Sequence, residues 1–155
     1  MNIAFYLLDI EQNNIRHQEI LKTINNLCSL RPYDNIVLFN NNFNTIDSNQ
    51  KYYLLPINHA KYFRGLLFLF DTEHALLTKT FPGPDKQFIC MDKPTWAENT
   101  NIPFSVWYSV YMDHKFELLV DSEYLYDLVD TCWKKPFNKS FNLTAENIDN
   151  VIRQL

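Results

Sequence analysis

Apolar residues along this chain fall into short unbroken runs separated by stretches of helical period. Residues 3–8 open with such a run, Ile-Ala-Phe-Tyr-Leu-Leu. Residues 11–30 follow with Ile15, Ile20, Ile24, Leu27 and Cys28 at helical spacing, which predicts an amphipathic helix stopped by Pro32. Residues 35–39 and 52–55 are further β-rich runs, the second ended by Pro56. Between them, residues 40–50 are polar and irregular and read as a loop. Residues 59–64 predict one helical turn, Gly65 punctuates, and residues 66–70, Leu-Leu-Phe-Leu-Phe, carry the strongest strand pattern in the chain.

The second half repeats this alternation. Residues 72–81 predict a short helix ended by Pro82-Gly83-Pro84, and residues 87–91 a strand. Residues 94–103 read as a loop holding Trp96, and the aromatic residues 104–112 fit either a helix or an extended segment. Residues 116–120 predict a last strand, and residues 124–133 a helix with Leu125, Leu128, Val129 and Cys132 on one face, stopped by Pro136. A final helix is predicted over 145–154, with Thr144 as N-cap and Leu143 and Ile148 as a hydrophobic staple.

Strands apolar throughout and alternating with helices are buried on both faces, which is the pattern of a parallel sheet covered by helices. With about six strands and right-handed crossovers, the expected fold is α/β: a single Rossmann-like three-layer sandwich with a mostly parallel, doubly wound sheet of order near 3-2-1-4-5-6. A length of 155 residues, without repeats or a low-complexity linker, makes residues 1–155 one expected domain.

Composition narrows the function classes. Apolar residues at 46% and charged residues at 21% are ordinary for a globule and exclude collagen-like and disordered classes. A net charge of −4 with scattered basic residues argues against a nucleic-acid partner. The longest apolar run is far below the roughly 20 residues of a membrane span, and the N-terminus lacks the features of a signal peptide. The expected setting is the cytoplasm, with no membrane partner. Cys28, Cys90 and Cys132 are widely spaced and odd in number, which suits neither a disulfide framework nor a zinc site; three buried thiols are expected. Abundant Asn, Ile, Lys, Phe and Tyr beside only 2 glycines point to an AT-rich genome, such as that of a bacteriophage or a low-GC bacterium.

Candidate chemistry follows from the fold, because ligands of open doubly wound sheets bind beyond the carboxyl ends of the strands. Asp9, Asn40, Asp71, Asp92 and Asp121 each follow a predicted strand. Asp9 and Asp71 would meet at the topological switch point, where paired carboxylates can hold Mg²⁺ or orient a hydroxyl. The competing reading for Asp71 and Asp121 is helix capping, since Asp-Thr-Glu and Asp-Ser-Glu are typical helix starts. His59 and His74 fall on the same rim, whereas His17 is expected on the solvated side of the first helix. Trp96 belongs to an aromatic stretch that suits stacking on a sugar or base, or packing over a sheet edge. The turn after the first strand, Asp-Ile-Glu-Gln-Asn-Asn, has no glycine, so neither a dinucleotide fingerprint nor a P-loop is present. No cofactor, no metal and no identified catalytic residue are expected. Phe104, Trp107, Tyr108 and Tyr111 form one stripe of a helix and are expected to border a homo-oligomer or partner interface.

The order of elements, with Phe68-Leu69-Phe70-Asp71-Thr72-Glu73-His74-Ala75 followed by Lys86-Gln87-Phe88-Ile89-Cys90, resembles the N-terminal Rossmann-like half of two-domain GT-B glycosyltransferases. The nucleotide-sugar site of that family lies mainly in a C-terminal half that has no counterpart here, and its first-strand glycine loop is absent too. The resemblance therefore implies a non-enzymatic or degenerate glycosyltransferase-like domain acting by binding, such as a phage-encoded accessory or interaction protein. The alternative is a small transferase, completed by a partner, that uses the acidic rim on a nucleotide-sugar or related substrate. Sugar and nucleotide ligands both remain open at this level.

Overall fold

The computed structural model describes residues 1–42 and 49–155. Six strands form one sheet: β1 (Asn2–Tyr6), β2 (Asn35–Asn40), β3 (Tyr53–Pro56), β4 (Leu66–Leu69), β5 (Lys86–Met91) and β6 (Phe116–Val120). Their order is β3-β2-β1-β4-β5-β6, and every pairing is parallel. The α-helices among the described residues are α1 (Ile15–Leu30), α2 (Thr72–Thr78), α3 (Thr95–Glu98), α4 (Phe104–Tyr111), α5 (Glu123–Cys132) and α6 (Ala145–Arg153). A 3₁₀ helix (Ile57–Tyr62) follows β3. The expected doubly wound three-layer fold is thus the observed one.

Strand alternation divides the core in two. Ile3, Phe5, Ile36, Leu38, Phe68 and Phe88 pack on the side that receives Ile20, Ile24 and Leu27 of α1 and Ile148, Val151 and Ile152 of α6. Ala4, Tyr6, Val37, Phe39, Leu67 and Ile89 face Ala75 of α2, Trp107 of α4, and Leu125 and Val129 of α5. Burial of both faces removes the apolar–polar alternation that a half-exposed sheet would show. In the centre, Phe5, Phe68 and Phe88 lie in register on three adjacent strands and stack with ring centroids 5.4 and 4.8 Å apart.

The edge beyond β6 is covered by the chain that follows α5: Phe137 N–H donates to the Leu118 carbonyl at 2.8 Å and Phe141 N–H to the Val120 carbonyl at 2.6 Å. Gly65 enters β4 with φ +138°, and a Cβ there would stand 2.3 Å from the Asn2 carbonyl oxygen. Only glycine fits that turn, which fixes where β4 starts beside β1.

Several expectations need correction. The first helix starts at Ile15 rather than residue 11, because Asn14 caps it, and Ile15 itself is 77% exposed. The expected loop over 94–103 contains α3, and the segment 104–112 is helical over Phe104–Tyr111. Asp121 is not a cap; Ser122 takes that place, its hydroxyl accepting from Leu125 N–H at 3.3 Å. Of the cysteines only Cys90 is buried, with Cys28 intermediate and Cys132 exposed. Residues 43–48 of the expected 40–50 loop lie outside the described residues.

Candidate functional site: twin clefts at the carboxyl ends of the strands

The switch point lies between β1 and β4, and a cleft of about 470 Å³ opens there. Leu7, Leu8 and Asp9 leave β1 on one side, while Asp71, Thr72, Glu73 and His74 begin α2 on the other. The first turn of α1 contributes Arg16 and His17, and the end of β5 contributes Cys90 and Asp92. A second cleft of about 510 Å³ adjoins it between α1 and the start of α6, beyond the ends of β5 and β6. Arg16, Cys90 and Asp92 line both.

The turn between β1 and α1 is held by side chains where a nucleotide-binding fold would use glycines. His17 Nδ1 accepts the Glu11 N–H at 3.0 Å, Asn14 Oδ1 accepts the His17 N–H at 3.2 Å, and Gln18 Nε2 donates to the Gln12 carbonyl at 3.1 Å. Of these bonds, the second engages the His17 N–H in the first turn of α1, one of the groups an anion would use at a helix start. They also correct the expectation for His17, which belongs to the cleft and not to a solvated helix face.

Asp71 caps α2, its Oδ1 accepting from Glu73 N–H at 2.8 Å. Capping and cleft lining are here one role. Glu73 in turn accepts from Asn99 Nδ2 at 2.5 Å, which ties α2 to the chain after α3. His74 sets its ring edge-on to Tyr6 at 5.3 Å, and its Nδ1 is buried without a hydrogen-bond partner among the described residues. Burial pushes the imidazole below its ordinary value, against the opposing pull of the Asp71, Glu73 and Asp9 carboxylates, so the ring is held neutral. Asp9 is exposed at the mouth. The Cys90 thiol is pushed up to about 12 by burial, despite the nearby Arg16, and is no nucleophile at neutral pH.

Asp92 pairs with Arg16, whose other terminal nitrogen reaches the Phe70 carbonyl at 3.4 Å. Neither contact was visible in the sequence, where Arg16 and Asp92 are far apart. The one available sign was a cation in the first turn of α1, whereas α2, α5 and α6 each place a Glu there. A helix start disfavours positive charge unless something nearby compensates it.

The remaining candidates are elsewhere. Asn40 is fully buried, and its Nδ2 donates to the Leu7 carbonyl at 2.6 Å and the Leu8 carbonyl at 3.4 Å. Its Oδ1 accepts from Asn42 N–H at 2.6 Å. Asn40 thus staples β2 to the end of β1 and lines neither cleft. His59 is exposed on the 3₁₀ helix after the edge strand β3 and does not join the cleft. Trp96 packs against Tyr111 and Trp133, with centroids 5.4 and 5.7 Å away, as an aromatic cluster member outside both clefts. Among the described residues, no group of three or more His, Cys, Asp or Glu side chains is placed to hold a metal ion, and no helix is long and apolar enough to cross a membrane. Neither protein-family models, nor curated proteins, nor solved structures contain a match to this chain.

Proposed function

We propose that this is a binding domain whose twin clefts receive a small, positively charged ligand. The observation that carries the proposal is where the charge lies. The two clefts are lined by eight carboxylates and only three permanent cations. The whole chain has 18 acidic and 14 basic residues, and the described residues outside the clefts comprise nine acidic against eleven basic ones, with no excess of negative charge. Net negative charge gathered in concave, low-dielectric walls concentrates cations and repels anions. The same observation, with the His17 N–H at the start of α1 already engaged by the Asn14 side chain, argues against a bare diphosphate.

A second reading, a small glycosyltransferase-like enzyme acting on a nucleotide-sugar, draws on His74. Its neutral imidazole in the cleft beside Asp9 suits proton abstraction from a hydroxyl. The readings separate in a thermal-shift series, since a ligand of the native state raises its stability by mass action. Spermidine is expected to raise the melting temperature and UDP-glucose with Mg²⁺ to leave it unchanged. The reverse pattern would replace the binding reading with the transferase. The Asp9→Asn variant is expected to melt like the parent and to lose part of the spermidine shift.

A further inference from the structure

We propose that acid closes the first cleft: on taking up a proton, the His74 ring leaves its seat against Tyr6 and pairs with the Asp9 carboxylate, between the end of β1 and the start of α2. The seat is built for a neutral ring. His74 stands edge-on to the buried Tyr6 with centroids 5.3 Å apart, and its Nδ1 is sealed from solvent with no hydrogen-bond partner among the described residues. A neutral imidazole fits there with its one proton on Nε2. The second proton goes on Nδ1, where it becomes a buried, charged donor facing no acceptor, and such a group is costly to leave unpaired. Burial already holds the imidazole below its ordinary pKa, against the pull of the Asp71, Glu73 and Asp9 carboxylates. The ring borders the open space of the cleft, about 470 Å³, and so has room to turn out of the seat.

The charged groups around the cleft decide where it goes. On its own helix, Asp71 is held by the Glu73 N–H and Glu73 by the Asn99 amide. Past β5, Asp92 is paired with Arg16 and Lys93 with Glu98. At the start of α1, His17 opposes a charge on His74, and its Nδ1 is occupied by the Glu11 N–H. Asp9, in the turn after β1, acts on the His74 ring, lines the same cleft, and its carboxylate has neither an ion pair nor a hydrogen bond among the described residues. Glu11 shares that mouth but is not among the groups that act on the ring. Closure places a cation inside the cleft and fills part of it, so the negative field of its walls weakens as pH falls. The switch needs no ligand and is independent of what the cleft binds.

Proton–carbon NMR of the full chain tests this by following the 4 imidazoles from about pH 7.5 to about pH 5, a window that brackets the ordinary histidine value. His74→Gln identifies the His74 signals. In the parent, the nuclear Overhauser contact between the His74 and Tyr6 rings is expected at the upper pH and is expected to vanish as His74 titrates. Asp9→Asn is expected to lower the His74 midpoint by about 1 pH unit and to preserve the Tyr6 contact to correspondingly lower pH. Glu11→Gln removes the same charge from the same mouth and is expected to leave both close to the parent. A ring that keeps its Tyr6 contact at the lowest pH, titrated or not, would overturn the switch, as would equal shifts in Asp9→Asn and Glu11→Gln. A parent that unfolds by circular dichroism before the contact is lost would overturn it too. None of these outcomes decides cation binding, which the spermidine melting shift at neutral pH reads separately.

Discussion

Asn40 and Asp71 both follow strands and both bind backbone groups, yet they belong to different kinds of site. Asn40 is sealed in the core and bonds three backbone groups, so Asn40→Ala removes the buried bond to the Leu7 carbonyl together with the two part-buried ones and is expected to cost about 1–3 kcal/mol in urea unfolding. Asp71→Ala removes one cap bond at a solvated helix start and is expected to cost about 1 kcal/mol. His74 adds a pH dependence of definite sign. Its native pKa lies below the ordinary 6.5, so the unfolded chain takes up the proton first. Stability is full above that value and falls as pH drops through it toward the native pKa. Urea midpoints at about pH 7.5 and about pH 5.5 are expected to differ more in the parent than in His74→Gln, which has no proton to take up. At this scale the sequence placed Asp9, Asp71, His74 and Asp92 on one strand-end rim, and the four line one cleft, because strand ends in a parallel sheet converge on one edge. It could not separate Asn40, His59 or Trp96 from them. Strand order places a residue on the rim, but only packing decides whether its side chain turns inward, as Asn40 does, or stays in solvent on the 3₁₀ helix that follows the edge strand, as His59 does.

Among the elements, the buried strands were the most legible, since β4, β5 and β6 differ from the apolar runs by a residue at most. The end of β1 was less so: Leu7 and Leu8 continue the apolar run past the last paired residue because they line the cleft. The stripe on α4 shows the same ambiguity with larger consequences. Trp107 and Tyr111 are fully buried in the chain's own core, while Phe104 and Tyr108 remain 62% and 54% exposed. An interface through all four aromatics is therefore narrowed to two, and Phe104 and Tyr108 lean instead on Trp133, at 4.7 and 6.4 Å between ring centroids. Helical spacing alone cannot tell a residue that packs on the sheet from its neighbour one position along, which covers an aromatic ledge. Trp107→Ala is expected to cost about 3–5 kcal/mol through the cavity it leaves. Phe104→Ser with Tyr108→Ser is expected to leave the fold intact and to abolish any concentration-dependent sedimentation at micromolar protein; a parent that sediments as a monomer under the same conditions would remove association from the reading of this face.

For the whole molecule, the distribution of charge carries more information than its sum. A net charge of −4 reads as a mildly acidic globule of no particular preference. The fold gathers eight of the carboxylates at the carboxyl ends of the strands, although in sequence they run from Glu11 and Asp9 to Glu146 and form no acidic block. Such gathering makes the field of the clefts a property of topology. Its reach is set by screening, with a Debye length of about 10 Å at 0.1 M salt, which spans a cleft but not the molecule. Spermidine affinity is therefore expected to fall steeply between about 0.02 and about 0.2 M NaCl in the parent. Asp9→Asn with Glu11→Gln, at the mouth of the first cleft, should weaken binding at low salt and flatten that dependence. Asp127→Asn with Asp130→Asn on the exposed side of α5 removes the same charge outside both clefts and should leave most of it in place. If the two double variants lost affinity and salt dependence equally, the ligand would be answering to net charge alone, and the clefts would have no special hold on it.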